Sequence, residues 1–283
     1  MTWSYYDFHW QQKGGKLRQD SYIIEKTKVI LDIIPRECTT IVDVGCGDGA
    51  ITNVLAEKYE VVGIDSSKVA LKFLSQSASP IMASADYLPL QKQSADLILS
   101  SELLEHLPDK AFLKAISEIK RTSKKYVLIS VQNKEKLRRR YTKCNSCGFE
   151  FHIYGHLRSF NLSKLVGYFD GYAVEYSTVL GSLEEKSFDG IYYLKNKVAN
   201  TYFIGTISVL CPNCGNIVHA PPKRNMLQKL ISFSLTMLQR VLNVLLNRKP
   251  EPDWLLVSFK KRIEANCGDQ YQVSARVQKN HSL

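Results

Sequence analysis

The sequence predicts an α/β fold built on a doubly wound, mostly parallel sheet of seven strands, and three observations predict it. Short Val/Ile/Leu-rich runs alternate with stretches of helical periodicity, as in a sheet whose two faces are both covered by helices. A glycine-rich turn, Gly45-Cys46-Gly47-Asp48-Gly49, follows the first run, where a strand bending sharply into a helix needs backbone freedom. A carboxylate, Asp65, closes the second run, 20 positions after Gly45.

Taken in order, Ile23, Val29, Ile30, Ile33 and Ile34 recur at helical spacing from Asp20 until Pro35 ends the helix. Strands are expected at residues 40–44, 60–64, 80–84, 95–100 and 125–131, with helices starting near Ala50, Ser67 and Pro108. The rhythm then breaks at a basic run and a cysteine pair. It resumes with a helix at 161–169 and a strand at 172–180, breaks again through 181–252, and ends in a strand at 254–259. The resulting division is an N-terminal helical segment (1–35), a core (36–133), a first insertion (134–160), a core helix and strand (161–180), a second insertion (181–252), a last core strand (253–262) and a disordered polar tail (263–283).

At 283 residues and 45% hydrophobic, the chain can bury one sizeable core with insertions. No charge-free apolar run reaches 18 residues, and the first twelve residues are aromatic and polar where a signal peptide would be apolar, so a cytoplasmic protein is expected. The net charge of +11 is partly local: Lys134, Lys136, Arg138, Arg139, Arg140 and Lys143 crowd one segment against Glu135. That run reads equally as a solvated loop or as a site for phosphates or anionic headgroups.

The segment Asp43-Val44-Gly45-Cys46-Gly47-Asp48-Gly49-Ala50 satisfies G-x-G-x-x-G/A, which also fits a nicotinamide dinucleotide. Asp43 two residues before the first glycine, Gly49 completing D-x-G-x-G-x-G, and Asp65 on the next strand shift the balance. With Ala85-Asp86-Tyr87-Leu88-Pro89-Leu90 and Ala95-Asp96-Leu97-Ile98-Leu99-Ser100, the chain resembles the class I S-adenosylmethionine-dependent methyltransferases, especially the small-molecule group with its Rossmann-like sheet. The resemblance implies that Asp43, Gly45, Cys46, Gly47 and Gly49 lie against the methionine part of the cofactor. It assigns Asp65 to the ribose, Asp86 to the adenine amino group, and Ser66, Tyr87 and Ser101 to the cofactor's surroundings. Taken singly, Asp43 or Asp65 also suits a cap or turn. Trp3, Tyr5, Tyr6, Phe8, His9 and Trp10 are candidates for an aromatic wall beside the sulfonium, and equally for ordinary packing of an N-terminal arm.

Attack by a hydroxyl requires proton removal, for which histidine is well suited near neutral pH. His106, in Glu102-Leu103-Leu104-Glu105-His106-Leu107-Pro108, is the first candidate base, with Glu105 beside it and His156 at a comparable place after the fifth strand. The E-x-x-E-H spacing also resembles ubiquinone-pathway O-methyltransferases and small-RNA 2′-O-methyltransferases, which implies a possible divalent ion at Glu102, Glu105 and His106. A polar helix start is the plainer alternative.

Cys144-Asn145-Ser146-Cys147-Gly148 and Cys211-Pro212-Asn213-Cys214-Gly215 are two C-x-x-C-G turns 63 residues apart. In a reducing compartment they read as zinc knuckles that together supply four thiolates, clipping the two insertions into a lid; a redox dithiol is the alternative. His152 and His219 stand near them but are not expected to ligate. Residues 225–247 read as one helix, apolar over more than half its circumference with basic flanks, which packs on the lid, meets a dimer partner or lies in a membrane interface. The function expected is methyl transfer to a small molecule, preferably O-methylation of a sugar, glycolipid or natural-product intermediate. An RNA methyltransferase and a non-catalytic zinc-stabilised binding protein are the alternatives, the first disfavoured by the lack of a recognisable RNA-binding module.

Overall fold

The computed structural model describes residues 3–185, 188–203, 208–220 and 222–262; the expected tail at 263–283 lies outside the described residues, as do the Trp3 and Ser4 side chains. Two helices, α1 (Trp3–Lys13) and α2 (Ser21–Ile33), precede the alternating core. Its first half runs β1 (Thr40–Val44), α3 (Thr52–Leu55), β2 (Glu60–Asp65), α4 (Lys68–Leu71), β3 (Ala78–Met82), β4 (Ala95–Ser101), α5 (Asp109–Thr122) and β5 (Ser123–Gln132). The first insertion holds the hairpin β6 (Tyr141–Lys143) and β7 (Glu150–His152), followed by α6 (Leu162–Val166) and β8 (Tyr172–Glu184). The second holds α7 (Asp189–Lys197), the hairpin β9 (Val209–Leu210) and β10 (Ile217–Val218), and α8 (Met226–Leu245), before β11 (Glu251–Lys261) closes the sheet.

The seven main strands order as β3-β2-β1-β4-β5-β11-β8, all parallel except β11, which runs antiparallel between β5 and β8. The period-two rule explains the double winding. Val42 and Val44 of β1, Ile98 of β4 and Val127, Ile129 and Val131 of β5 face one layer, packed with Phe112, Ile116 and Ile119 of α5. Their neighbours Ile41, Leu97, Leu99, Tyr126 and Leu128 face the opposite layer, against Ile30 of α2 and Leu55 of α3.

Three expectations shift in register or length. The third strand starts at Ala78, two residues before the proline, because it pairs Val61↔Ala78 through Asp65↔Met82 and Pro80 needs no N–H on the sheet's outer edge. The helix expected from Ala50 is a single turn, and the one at 161–169 closes after Val166. The helix α7 inside the second insertion was not foreseen. Between β1 and β4 the strand order reverses direction, and ligands of such sheets bind in the crevice outside the strands' carboxyl ends there.

Candidate active site

That crevice is walled by Gly45 after β1, Asp65 and Ser66 after β2, Ala83, Ser84 and Ala85 after β3, and Glu102, Leu103 and His106 after β4. Gly45, Gly47 and Gly49 all have positive φ, at 78°, 54° and 72°. A Cβ on Gly45 would meet Leu103 at 2.9 Å, and one on Gly47 would stand 2.6 Å from the Trp10 ring, so both positions require glycine sterically as well. The Gly45 amide donates to the Ile64 carbonyl (2.7 Å), and the Gly47 amide to Asp65 Oδ2 (2.9 Å), while Ser67 N donates to Asp65 Oδ1 (2.8 Å). The loop and the carboxylate therefore fix one another.

A fifth wall is α1. Tyr5, Tyr6, His9 and Trp10 line the crevice, whereas Phe8 does not. The helix is tied down by Tyr5 Oη donating to the Ile153 carbonyl (2.9 Å), by Ser67 Oγ donating to Asp7, and by Gln12 Nε2 donating to the Ser208 carbonyl (3.1 Å). Burial pushes His9 down to about 4, so its ring is neutral. Burial, with Asp65 and Glu105 nearby, pushes Tyr6 up to about 12. Of the remaining predicted positions, Asp43 lies beneath the turn, its Oδ2 accepting from Thr52 Oγ1 (2.6 Å), with burial raising its pKa to about 7. Cys46, Asp86, Tyr87 and Ser101 do not line the crevice; Tyr87 is 77% exposed and Asp86 accepts from Ser84 Oγ.

On the β4 side, Glu102 adopts φ +53° and accepts from Lys26 Nζ (2.9 Å), Ser130 Oγ (2.8 Å) and Gln132 Nε2 (2.7 Å). Burial opposes its ionisation, but the fully buried Lys26 charge and these hydrogen bonds hold it below the usual carboxylate range. Its lone pairs are thus engaged within the protein. Glu105 is fully buried, and neither of its oxygens meets a donor; burial and the adjacent Glu102 push its pKa far up, leaving it neutral. Burial, reinforced by His156, drives His106 well below its ordinary value, and its Nδ1 has no partner.

Behind His106 lies a buried row. The His106 and His156 rings meet edge-to-face at 4.7 Å, and His156 Nδ1 stands 2.6 Å from Glu135 Oε2. His152 Nδ1 accepts from the backbone amides of Tyr154 (3.3 Å) and His156 (3.1 Å), so its proton resides on Nε2, which faces Glu135 Oε1 at 3.2 Å. Burial disfavours the Glu135 charge, yet the two histidines hold it well below the normal range. Arg158 fastens this row to the β4 loop: it donates to the carbonyls of Leu104 (2.8 Å) and Leu107 and to Asp109 (2.7 Å), while Leu157 N donates to the Glu105 carbonyl (2.8 Å). Ligand atoms of Glu105, His106 and His156 lie within 4.8 Å of one another, as do those of Glu135, His152 and His156. The sequence did not single out Glu135 for this role, nor Lys26 or Tyr154, which also lines the crevice. Only the H-x-x-x-H spacing of His152 and His156 offered a signal.

The four cysteines converge. Cys144 and Cys214 Sγ stand 3.6 Å apart, as do those of Cys147 and Cys211, and all four sulfurs lie within 4.8 Å of one another. The two turns are equivalent: Gly148 and Gly215 both have φ 73°, and each donates its N–H to the carbonyl of the first cysteine of its turn at 2.9 Å. Phe151, Ile153, Val209 and Val218 form a small core beneath them. His152 and His219 are occupied elsewhere, by Glu135 and by Ser208 Oγ (2.6 Å) respectively.

Residues 41–125 match a family model described as a methyltransferase domain. The chain is 31% identical over 121 residues to an uncharacterised protein of Methanocaldococcus jannaschii, covering 42% of this chain and 52% of that one. It is 33% identical over 98 residues to trans-aconitate 2-methyltransferase of an Azoarcus species, covering 31% and 39%. The match thus spans about half the length of the first of these relatives and two-fifths of the second. In fold it is similar to a S-adenosylmethionine-dependent methyltransferase from Archaeoglobus fulgidus, with a TM-score of 0.51 at 17% identity over 90% of this chain and all of that one. The reversed strand order and the glycine turn in its crevice accord with the methyltransferase-domain model that residues 41–125 match.

Proposed function

We propose that the protein methylates a hydroxyl of a neutral small molecule, such as a sugar, glycolipid or natural-product intermediate, with S-adenosylmethionine as donor. The observation that carries this reading is the charge of the crevice: Asp65 and the rings of α1 line it beside Glu102, which Lys26 neutralises from behind, with no lysine or arginine among the described lining residues. Such walls suit a cationic sulfonium and disfavour the pyrophosphate of a dinucleotide. When bound, the cofactor supplies a methyl group on sulfur whose positive charge vanishes during transfer.

In this reading Asp65, already pinned by two backbone amides, accepts from the ribose hydroxyls, and the turn from Gly45 to Gly49 above Asp43 receives the methionine part. Ser66 serves the adenine side, while Asp86, Tyr87, Cys46 and Ser101, which lie off the lining, support the loops that form it. His106, kept neutral by burial, takes the acceptor's proton. His156 meets it edge-to-face from behind, its orientation held by Glu135 at Nδ1.

The orphaned atoms of Glu105 and His106 favour a second role for the same residues: a divalent ion held by Glu105, His106 and His156, with Glu102 excluded because Lys26 claims it. The four sulfurs fit zinc, since tetrahedral Zn–S bonds of ~2.3 Å put sulfurs ~3.8 Å apart. That site has no open position and is structural. The basic run gives no support to RNA as acceptor: Lys134 pairs with Glu251, Lys136 with Asp189, and Arg139 and Arg140 with Glu184.

Calorimetric titration tests the donor. S-adenosylhomocysteine binds in the micromolar range, NADH gives no heat, and Asp65→Ala weakens binding about tenfold to a hundredfold. Saturable NADH binding, or none by S-adenosylhomocysteine, overturns the proposal.

A further inference from the structure

The helix α8 is built inside out. Its one fully buried residue is a glutamine, Gln239, which accepts from Lys195 Nζ at 3.4 Å, and Ser232 on the same side shares a hydrogen bond with Thr201 (3.1 Å). Meanwhile Leu227, Leu230, Phe233, Leu238, Val241 and Val244, which at 100° per residue fall within an arc of about 140° on one face, are between 48% and 79% exposed. A helix of a water-soluble surface carries these two faces the other way round. Twenty residues at 1.5 Å rise make this apolar strip about 30 Å long, and a capping box at Asn225 and Gln228 defines its start.

Charge decides what covers it. No aspartate or glutamate occurs from residue 222 to 250, while Lys223 and Arg224 precede the helix, Lys229 and Arg240 lie within it, and Arg248 and Lys249 follow it. At 100° per residue, Lys229 and Arg240 fall 20° apart, along one edge of the apolar strip. Neither makes an ion pair among the described residues, in contrast to the paired basic run at 134–140. A second copy docked antiparallel on this face would set Lys229 of one chain against Arg240 of the other. Among the described residues, no helix is long and apolar enough to cross a membrane. We propose that α8 lies flat in the interface of an anionic lipid bilayer, with its apolar strip among the acyl chains and its basic edge and flanks on the headgroup phosphates.

The proposal does not depend on the methyl donor, and its test reads nothing of the cofactor site. The full-length protein is floated with vesicles of pure phosphatidylcholine and with vesicles carrying about one-third phosphatidylglycerol. It rises with the anionic vesicles and stays behind with the neutral ones, and 0.5 M salt weakens the capture by about tenfold. A Phe233→Asp/Val241→Asp variant and a Lys229→Glu/Arg240→Glu variant each lose at least about tenfold in capture while melting at the temperature of the unaltered protein. All four side chains are exposed, and the charge-reversal pair leaves the apolar strip intact, so it reports even if the aspartates disturb folding. Protein left in the soluble fraction with both vesicles overturns the proposal. So does undiminished capture of the charge-reversal variant, or a lipid-free dimer in sedimentation that the aspartate pair dissolves, which would make a second copy the occupant.

Discussion

Asp43 is buried to 2% beneath the glycine turn, with one oxygen on Thr52 and the other without a donor. Burial raises its pKa from the ordinary carboxylate value to about 7, so the native state holds a proton there that the unfolded chain has already released. The stability contributed by that proton is full below pH ~4 and is lost as pH rises through about 7. Asp43→Asn keeps the Thr52 hydrogen bond and removes this titration. In melts from pH 4 to 8, the unaltered apo-protein should lose stability relative to the variant by roughly 1 kcal/mol per pH unit up to pH 7, then level off. A constant difference across that range would show that Asp43 does not carry this load. The row of His106, His156 and His152 invites a second comparison once a hydroxyl acceptor supports turnover. His106→Ala should reduce kcat by about 10²- to 10⁴-fold, and Glu135→Gln by less, with a shifted pH–rate profile, because it disturbs only the orientation and basicity of His156. Equal rates in the His106 and His156 alanine variants and the unaltered protein would remove this row from the chemistry. At this scale the glycine turn was readable in the sequence, since glycine spacing reports backbone geometry directly. The partners of Glu102 were not: Lys26 lies 76 positions away, and nothing in a lysine at helical spacing announces that it will be fully buried.

The elements that complete the site come from outside the alternating core. The helix α1 seals the crevice with four rings, and the segment Gly155–Phe160 straps the β4 loop through Arg158 and Leu157. The two cysteine hairpins, β6/β7 and β9/β10, are too short to persist alone, and only a small cluster including Phe151 and Val218 lies beneath them. A metal clip is therefore the main source of their order in this account. Purified tag-free protein should contain about one zinc per chain. Cys144→Ser and Cys214→Ser should each abolish it and lower the melting temperature by several degrees, as a strong chelator would. Metal-free protein with unchanged melting would assign the sulfurs to a redox pair instead. The convergence of the cysteines was foreseeable because C-x-x-C-G fixes its own loop and the strand order puts both insertions at one edge. The strand ends were less so: β3 and β8 deviate from the expected bounds because hydrogen-bond registry with β2 and β11, a nonlocal property, sets where an edge strand begins and ends.

Over the whole molecule, the +11 charge divides into two populations that the sequence alone could not separate. The run at 134–140 is drawn into ion pairs with Glu184, Asp189 and Glu251, residues supplied by the second insertion and the last strand. The residues around α8 keep their charge for an external surface. The crevice, by contrast, has no lysine or arginine among its described lining residues. The fold class followed from periodicity, because burial on both faces of a parallel sheet leaves a chemical signature in every strand. The acceptor leaves no such mark, since the crevice residues of α1, the β4 loop and the first insertion meet only in the folded chain. The central claim is that this crevice holds S-adenosylmethionine with its sugar on Asp65. The most direct measurement is a crystal structure of the protein grown with S-adenosylhomocysteine. The account predicts ribose hydroxyls within hydrogen-bonding distance of the Asp65 carboxylate and the sulfur near the Gly45 turn, facing His106. An empty crevice under saturating ligand, or the nucleoside bound elsewhere with Asp65 untouched, would contradict it.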